Sequence, residues 1–416
     1  MSTSNAFFTR TFRALRYRDF RIMWMGACAS TIGTFVQQFA QSWLVFDLTK
    51  DAFYLGLDLF LGQLPIMLFS LFGGVFADRL DRRKMLLASQ YIQMFCAFLL
   101  ALLFVLHVVK VWHILTLSFV VGIGQSFGGP AYSSLLPTLV EPKDLSNAIA
   151  MNSIQFNIAR VLGPVLGGLA YTTLGAKWCF TLNGISYLFV IASLLMIRVN
   201  FVPVKTTESV LSSMKEGIAF IRRREGMSTL VLLAFCTTLF GFSLNGFLPV
   251  FVRNIFHRGP ETYTLLLSCS GAGSICGGLA VATSEKMKGK GRLTLFILTL
   301  LGLVVAGFAL SRWLPLSCVL IFLGGAAIMA SASFMVSLAQ LSVTDQMRGR
   351  VMSVYNLAFR SGIPLGALAL GKLIPMFGVS RALGGSGLVL TALATYFLVT
   401  RKDATFQAGQ EAASAS

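Results

Sequence analysis

The chain has 416 residues, of which 56% are hydrophobic and only 12% charged, with a mean hydropathy of +0.76 and a formal charge of +18. Soluble domains carry about twice that charged fraction, so an ordinary water-soluble fold is set aside first. The bases sit in short gaps between apolar runs and not along one face, which argues against nucleic acid as partner, and three histidines without a tight Cys/His cluster argue against a structural zinc site.

The segment 1–21 is basic and amphipathic and lacks the compact apolar core of a cleavable signal, so it reads as a cytoplasmic amino terminus whose following span directs insertion. A helix needs about 20 apolar residues to cross roughly 30 Å of hydrocarbon, with its backbone groups satisfied internally. Stretches of that kind run over 22–46, 54–76, 85–107, 112–135, 147–171 and 177–197, and again over 229–251, 262–284, 293–311, 313–340, 351–373 and 380–399. The expected fold is an all-α membrane protein of twelve transmembrane helices in two pseudo-symmetric six-helix bundles, 22–197 and 229–399. They are joined by a cytoplasmic linker over 198–228 and followed by a cytoplasmic tail over 400–416. Within the linker, 212–224 reads as an amphipathic helix along the membrane, with Met214, Ile218 and Ile221 on its apolar side.

Threading the amino terminus inside places 24 of the 34 Lys and Arg on the cytoplasmic side and eight on the other, with Arg160 and Arg360 left within spans. The positive-inside rule selects this orientation. All seven cysteines fall within predicted spans and read as buried small hydrophobes.

In span one, Ser30, Thr34, Gln37 and Gln41 recur at helical spacing as one polar stripe, and Gln125 in span four and Asn245 in span seven add to a candidate central cavity. Asp58, about a turn into span two, is either a boundary residue or a coupling acid. The first hairpin, from Gly73 and Gly74 through Asp78, Arg79, Asp81, Arg82, Arg83 and Lys84, joins glycines that permit close helix approach to acids facing helix ends and bases for the anionic surface. A weaker copy starts at Gly277 and Gly278 and runs through Glu285, Lys286, Lys288, Lys290 and Arg292.

Arg160-x-x-x-Pro164 returns two hundred positions later as Arg360-x-x-x-Pro364. An arginine at the centre of a membrane helix costs roughly 2.5–3.5 kcal/mol on insertion scales, so both should face protein or a wet cavity, as structural pairs or as coupling groups. Gly163, Pro164, Gly167 and Pro364 would let these spans bend. Asp58 and Arg360 would approach each other if spans two and eleven pack together. The 36 Phe and 16 Met around the polar groups favour an amphipathic or aromatic cargo wherever they line a route.

With its two six-span halves, the hairpin Gly74-x-x-Ala77-Asp78-Arg79-x-Asp81-Arg82-Arg83-Lys84 and Gly163-Pro164-x-x-Gly167-Gly168, the chain resembles the major facilitator superfamily over residues 10–400. Leu15-Arg16-Tyr17-Arg18-Asp19-Phe20-Arg21, Pro65, Pro130, Pro137 and Leu145-x-Asn147-Ala148 resemble its bacterial enterobactin and macrolide exporter branch. The resemblance implies alternating access by two six-helix bundles, with drugs or siderophores expelled in exchange for protons. The arginine that many proton-driven relatives carry early in span four is missing, since Leu117, Ser118 and Phe119 stand there.

The function expected is proton-coupled export of an amphipathic small molecule across a bacterial inner membrane. The inner gate would be Gly74, Asp78, Arg79, Asp81, Arg82 and Arg83, and Asp58, Arg160 and Arg360 are the coupling candidates. Neither cofactor, metal nor obligatory protein partner is expected. Uptake of an organic acid, sugar or lipid-like solute, and a nontransporting receptor, are the alternatives. A membrane enzyme would need convergent catalytic groups, and His107, His113 and His257 are isolated.

Overall fold

The computed structural model describes residues 12–198, 210–224, 226–283 and 289–400. The expected tail from 401 onward, residues 199–209 of the linker and the basic run 284–288 of the second hairpin lie outside the described residues, as does the side chain of Asp78. The described residues are helical and contain no strand. Contacts divide them into two units, one taking Met1–Leu48 with Leu61–Thr207, the other Thr49–Phe60 with Glu208–Ser416.

The first unit holds α1 (Arg18–Thr49), most of α2 (Ala52–Arg79), α3 (Arg82–Val105), α4 (Val111–Leu135), α5 (Leu145–Thr173) and α6 (Ala176–Met196). The second holds the first turns of α2, the linker helix α7 (Val210–Arg223), α8 (Met227–Cys236), α9 (Ser243–Gly246), α10 (Leu248–Asn254), α11 (Pro260–Thr283), α12 (Lys290–Leu310), α13 (Leu314–Leu341), α14 (Asp345–Phe377) and α15 (Val379–Thr400).

Among the described residues, ten helical stretches are long and apolar enough to cross a bilayer. Helices α1 and α5, of 32 and 29 residues, have the length but not the hydropathy. The reason is chemical: α1 carries the stripe from Ser30 to Gln41, and α5 carries Asn147, Asn152, Gln155, Asn157 and Arg160. Polar membrane helices need protein partners, and α5 finds them on α1: Gln155 Nε2 donates to the Ala27 carbonyl (3.0 Å) and Thr31 Oγ1 (2.7 Å), and Trp24 Nε1 to the Met151 carbonyl (2.9 Å).

Small residues set the packing, as expected where lipid supplies no hydrophobic drive between helices. In the first unit, Gly163 of α5 lies against Phe35 of α1, Gly73 of α2 against Ser126 and Phe127 of α4, and Gly184 of α6 against Phe98 of α3. The second unit repeats these pairings: Gly362 of α14 meets Phe235 and Thr238, Gly273 and Gly277 of α11 meet Phe322 and Ala326 of α13, and Gly302 of α12 meets Gly387 of α15. The shared pattern is the structural counterpart of the repeated Arg-x-x-x-Pro. The turns after α5 and α14 also match, each passing through a glycine with positive φ, Gly175 (92°) and Gly378 (83°), where a Cβ would be strained.

Span seven departs from its expected single helix over 229–251. A π turn, Thr237–Gly241, follows α8, and the chain breaks at Phe247 before α10. Pro249 has no N–H to return to the Asn245 carbonyl one turn earlier, so the break falls beside a candidate cavity residue.

The linker helix forms as its amphipathic pattern predicts, but part of its apolar face is taken by protein. Ile221 is buried, Gly217 lies against the Arg350 backbone at the start of α14, and Glu216 pairs with Arg350. Ile218 remains exposed.

Candidate functional site

At the hairpin between α2 and α3, the acids and bases bind main chain. Asp81 caps α3 by accepting from the amides of Arg83 (2.9 Å) and Lys84 (3.3 Å), which satisfies orphan donors and places negative charge at the positive end of the dipole. Arg82 does the converse, donating from Nε to the Ala77 carbonyl (3.1 Å) at the end of α2 and from Nη1 to the Ser134 carbonyl (3.0 Å) at the end of α4. Arg83 Nη2 reaches the Leu195 carbonyl (2.9 Å) in the last turn of α6. Three helix C-termini are thereby held by two guanidinium groups whose geometry matches orphan carbonyls. Arg79 is exposed, and Gly74 has nothing within 4 Å of an added Cβ, so the close approach belongs to Gly73 alone. Arg82→Ala should lower the melting temperature of the purified protein, because two charge-assisted bonds of about 1.5–3 kcal/mol each are lost where water only partly replaces them. Arg82→Lys should recover little of that loss, as an ammonium on one stem cannot span both carbonyls.

The same end of the first unit is closed by the amino-terminal segment. A 3-10 turn, Arg13–Arg16, sets the Ala14 amide on Asn147 Oδ1 (2.8 Å), the Tyr17 hydroxyl on Asp144 Oδ2 (2.9 Å) and Arg13 near Asp144 (3.8 Å). The two stretches that carried the branch resemblance are therefore one contact. Desolvation, then the bond to Asp144, raises the Tyr17 phenol above its usual value. A raised folded-state value means that this contact is intact below the ordinary phenol range and is lost only as pH climbs through the raised one.

The polar stripe of α1 belongs to a polar network with two hydrogen-bonded branches across α1, α3, α4 and α6. Asn183 Nδ2 donates to Gln37 Oε1 (2.7 Å), Gln37 Nε2 to Gln41 Oε1 (3.3 Å) and Gln41 Nε2 to Ser118 Oγ (2.8 Å). Tyr187, one turn after Asn183 on α6, bonds to Thr34 (3.3 Å) and donates to Gln93 Oε1 (3.2 Å), which also accepts from Gln125 Nε2 (3.2 Å). Gln93 Nε2 continues to Ser89 Oγ (3.1 Å). Ser30 is buried one turn before Thr34, whose hydroxyl donates to the Ser30 carbonyl (2.9 Å). Gln93, Asn183 and Tyr187, buried hubs of this network, were not singled out from sequence. The side chains joined by these bonds carry amides and hydroxyls.

Arg160, half-buried on α5, lies over the Phe156 ring (5.3 Å), which meets Phe35 of α1 edge-on (5.5 Å). A guanidinium on an aromatic face is stabilised without a carboxylate. Pro164 has no N–H for the Arg160 carbonyl, and Pro364 repeats this for Arg360; both prolines are buried in helices that continue through them. Gly167 rests on Val36 and Phe39.

In the second unit Asp58 is 4% exposed. The turn carrying it packs on α14 through Gly56, whose added Cβ would lie 2.9 Å from the Gly371 Cα and closer still to the Ala367 carbonyl. Spans two and eleven thus pack together here. Arg360 is exposed on α14. Asn245 Oδ1 accepts from Ser270 Oγ (3.2 Å) of α11. Among the described residues the buried carboxylates are Asp58 and Asp144, and Asp144 serves the amino-terminal contact.

Apolar helices long enough to cross a bilayer, packed around buried amide and hydroxyl networks, define a multi-pass membrane protein. Residues 9–415 match the family model of the transmembrane secretion effectors, and the chain belongs to this family of the major facilitator superfamily. The staphyloferrin A transporter of Staphylococcus aureus is 24% identical, covering 89% of this chain and 94% of its own length. The macrolide efflux protein A of Streptococcus pyogenes is 22% identical over 90% and 94%, and an enterobactin exporter of Citrobacter koseri 23% over 85% of each. In fold, the nucleoside transporter NupG matches with a TM-score of 0.72 at 12% identity, over 93% of this chain and 99% of its own. A bacterial homolog of the lysosomal transporter Spinster matches at 0.69 and 14%, over 94% and 96%.

Proposed function

We propose that this secondary transporter exports an amphipathic small molecule in exchange for protons, through twelve crossings in two pseudo-symmetric six-helix bundles. Both termini are cytoplasmic in a bacterial inner membrane, as the distribution of bases favours. The drugs and siderophores named for the relatives support this cargo class.

The observation that carries the coupling is the division of labour among buried polar groups. The first unit offers uncharged amides and hydroxyls beside an aromatic and guanidinium patch, suited to a cargo with neutral polar groups and apolar or anionic surface. The proton is assigned to Asp58, the buried carboxylate outside the amino-terminal contact. Asp78 and Arg79 hold the inner gate, while Arg82 and Arg83 brace the helices that carry it. Gly163, Pro164 and Pro364 let α5 and α14 bend where the Arg160 and Arg360 carbonyls are released.

The test uses purified protein in inside-out proteoliposomes and a macrolide probe. An imposed acidic interior should drive accumulation of the probe; accumulation indifferent to the proton gradient removes proton exchange, and binding without flux leaves a receptor.

A further inference from the structure

Helices α11 and α13 touch backbone to backbone along a ladder of small residues. A Cβ built on Gly273 would strike the Phe322 carbonyl and one on Gly277 the Ala326 carbonyl, forty-nine positions apart in each case. Carried back one turn, the same offset pairs Cys269 with Cys318, whose thiols lie close enough to act on each other electrostatically. Both are free and half-buried. A disulfide needs Cα atoms about 4.4–6.8 Å apart, a separation natural to helices in backbone contact one turn away.

We propose that Cys269 and Cys318 form an oxidisable dithiol site that closes to an interhelical disulfide with a small uncharged thiol oxidant, fixing α11 against α13. Two S–H bonds break and one S–S bond forms. The two protons and two electrons pass to the oxidant, here an azodicarboxamide that becomes the corresponding hydrazine, and a dithiol reductant reverses the step. The lock has something to act on: at Gly273, Gly277 and Gly325 one helix meets the backbone of the other, with Ser274 Oγ bonded across to the Gly325 carbonyl (3.3 Å), and a small-residue contact of this kind lets the pair shift during transport. A covalent link at one end of the ladder removes that freedom.

The experiment uses the full chain in liposomes. After diamide treatment, the remaining thiols are alkylated and the peptides mapped by mass spectrometry, with macrolide flux measured in parallel. A linked peptide containing Cys269 and Cys318 is expected, together with a severalfold fall in flux that dithiothreitol restores and that C269S and C318S each abolish. If both thiols stay open to alkylation, or pair with other cysteines, the site is overturned. If the linked peptide forms while flux is unchanged, the lock is overturned. The flux arm rests on the transport reading, whereas peptide mapping does not, so failure of one is distinguishable from failure of the other.

Discussion

Asp58→Asn is expected to abolish the response of flux to a proton gradient while leaving exchange of probe across equal pH. The side chain is buried on a turn held to α14 by the Gly56 and Gly371 contact, so it cannot withdraw to solvent without moving that packing. Asparagine keeps the size and a hydrogen-bonding oxygen but has no titrating proton, which separates charge from shape. A proton linked to cargo through alternating states typically contributes about 1–3 kcal/mol, or roughly a 5- to 150-fold difference in flux with and without the gradient. That difference should collapse in Asp58→Asn and be partly kept in Asp58→Glu. Arg360→Gln, which removes an exposed charge on α14, should spare the gradient response if proton binding is confined to Asp58. Unchanged gradient dependence in Asp58→Asn, at equal membrane insertion, would falsify the assignment.

The membrane character of the chain was legible because bilayer thickness converts directly into apolar run length. The repeat was legible because an arginine within an apolar span is too costly to occur twice at one spacing by accident. The α1 stripe could be read from helical period, and Thr34, Gln37, Gln41 and Gln125 each hydrogen-bond to a neighbouring helix. Its hubs were hidden for the opposite reason. Gln93, Asn183 and Tyr187 are isolated polar residues in otherwise apolar spans, with no period to mark them, and only tertiary packing shows what they join. Hydropathy is also blind to helical phase, so the π turn and the break before Pro249 left no trace in span seven. Chain order gives no hint that Thr49–Phe60 clusters with the second unit; that follows from glycines on α2 and α14 that meet only in three dimensions. The contact between Tyr17 and Asp144 likewise joins two motifs visible separately 127 residues apart.

Gln93→Leu should be among the most damaging neutral substitutions in the first unit. Leucine fits the volume but offers no oxygen to the Tyr187 hydroxyl or the Gln125 amide and no donor to Ser89. Tyr187 is 3% exposed, so water cannot repair the loss, and each stranded buried group costs about 1–3 kcal/mol. A fall in melting temperature on the order of 5–10 °C is expected for a unit of this size. Apparent affinity for the probe should weaken too, because Gln93 orients the amide of Gln125 and, through Tyr187, bears on Thr34. The asymmetry between removing one partner and removing both provides the decisive control. Tyr187→Phe deletes the hydroxyl that Gln93→Leu would strand, so the double variant should be more stable than the sum of the two single losses predicts. Strict additivity would mean that Gln93 and Tyr187 act separately and that the network does not hold α3 to α6. The pH response of flux should stay as in the parent protein, since the groups that Gln93→Leu strands are an amide and two hydroxyls, and a shifted response would move the proton site from Asp58 into the first unit.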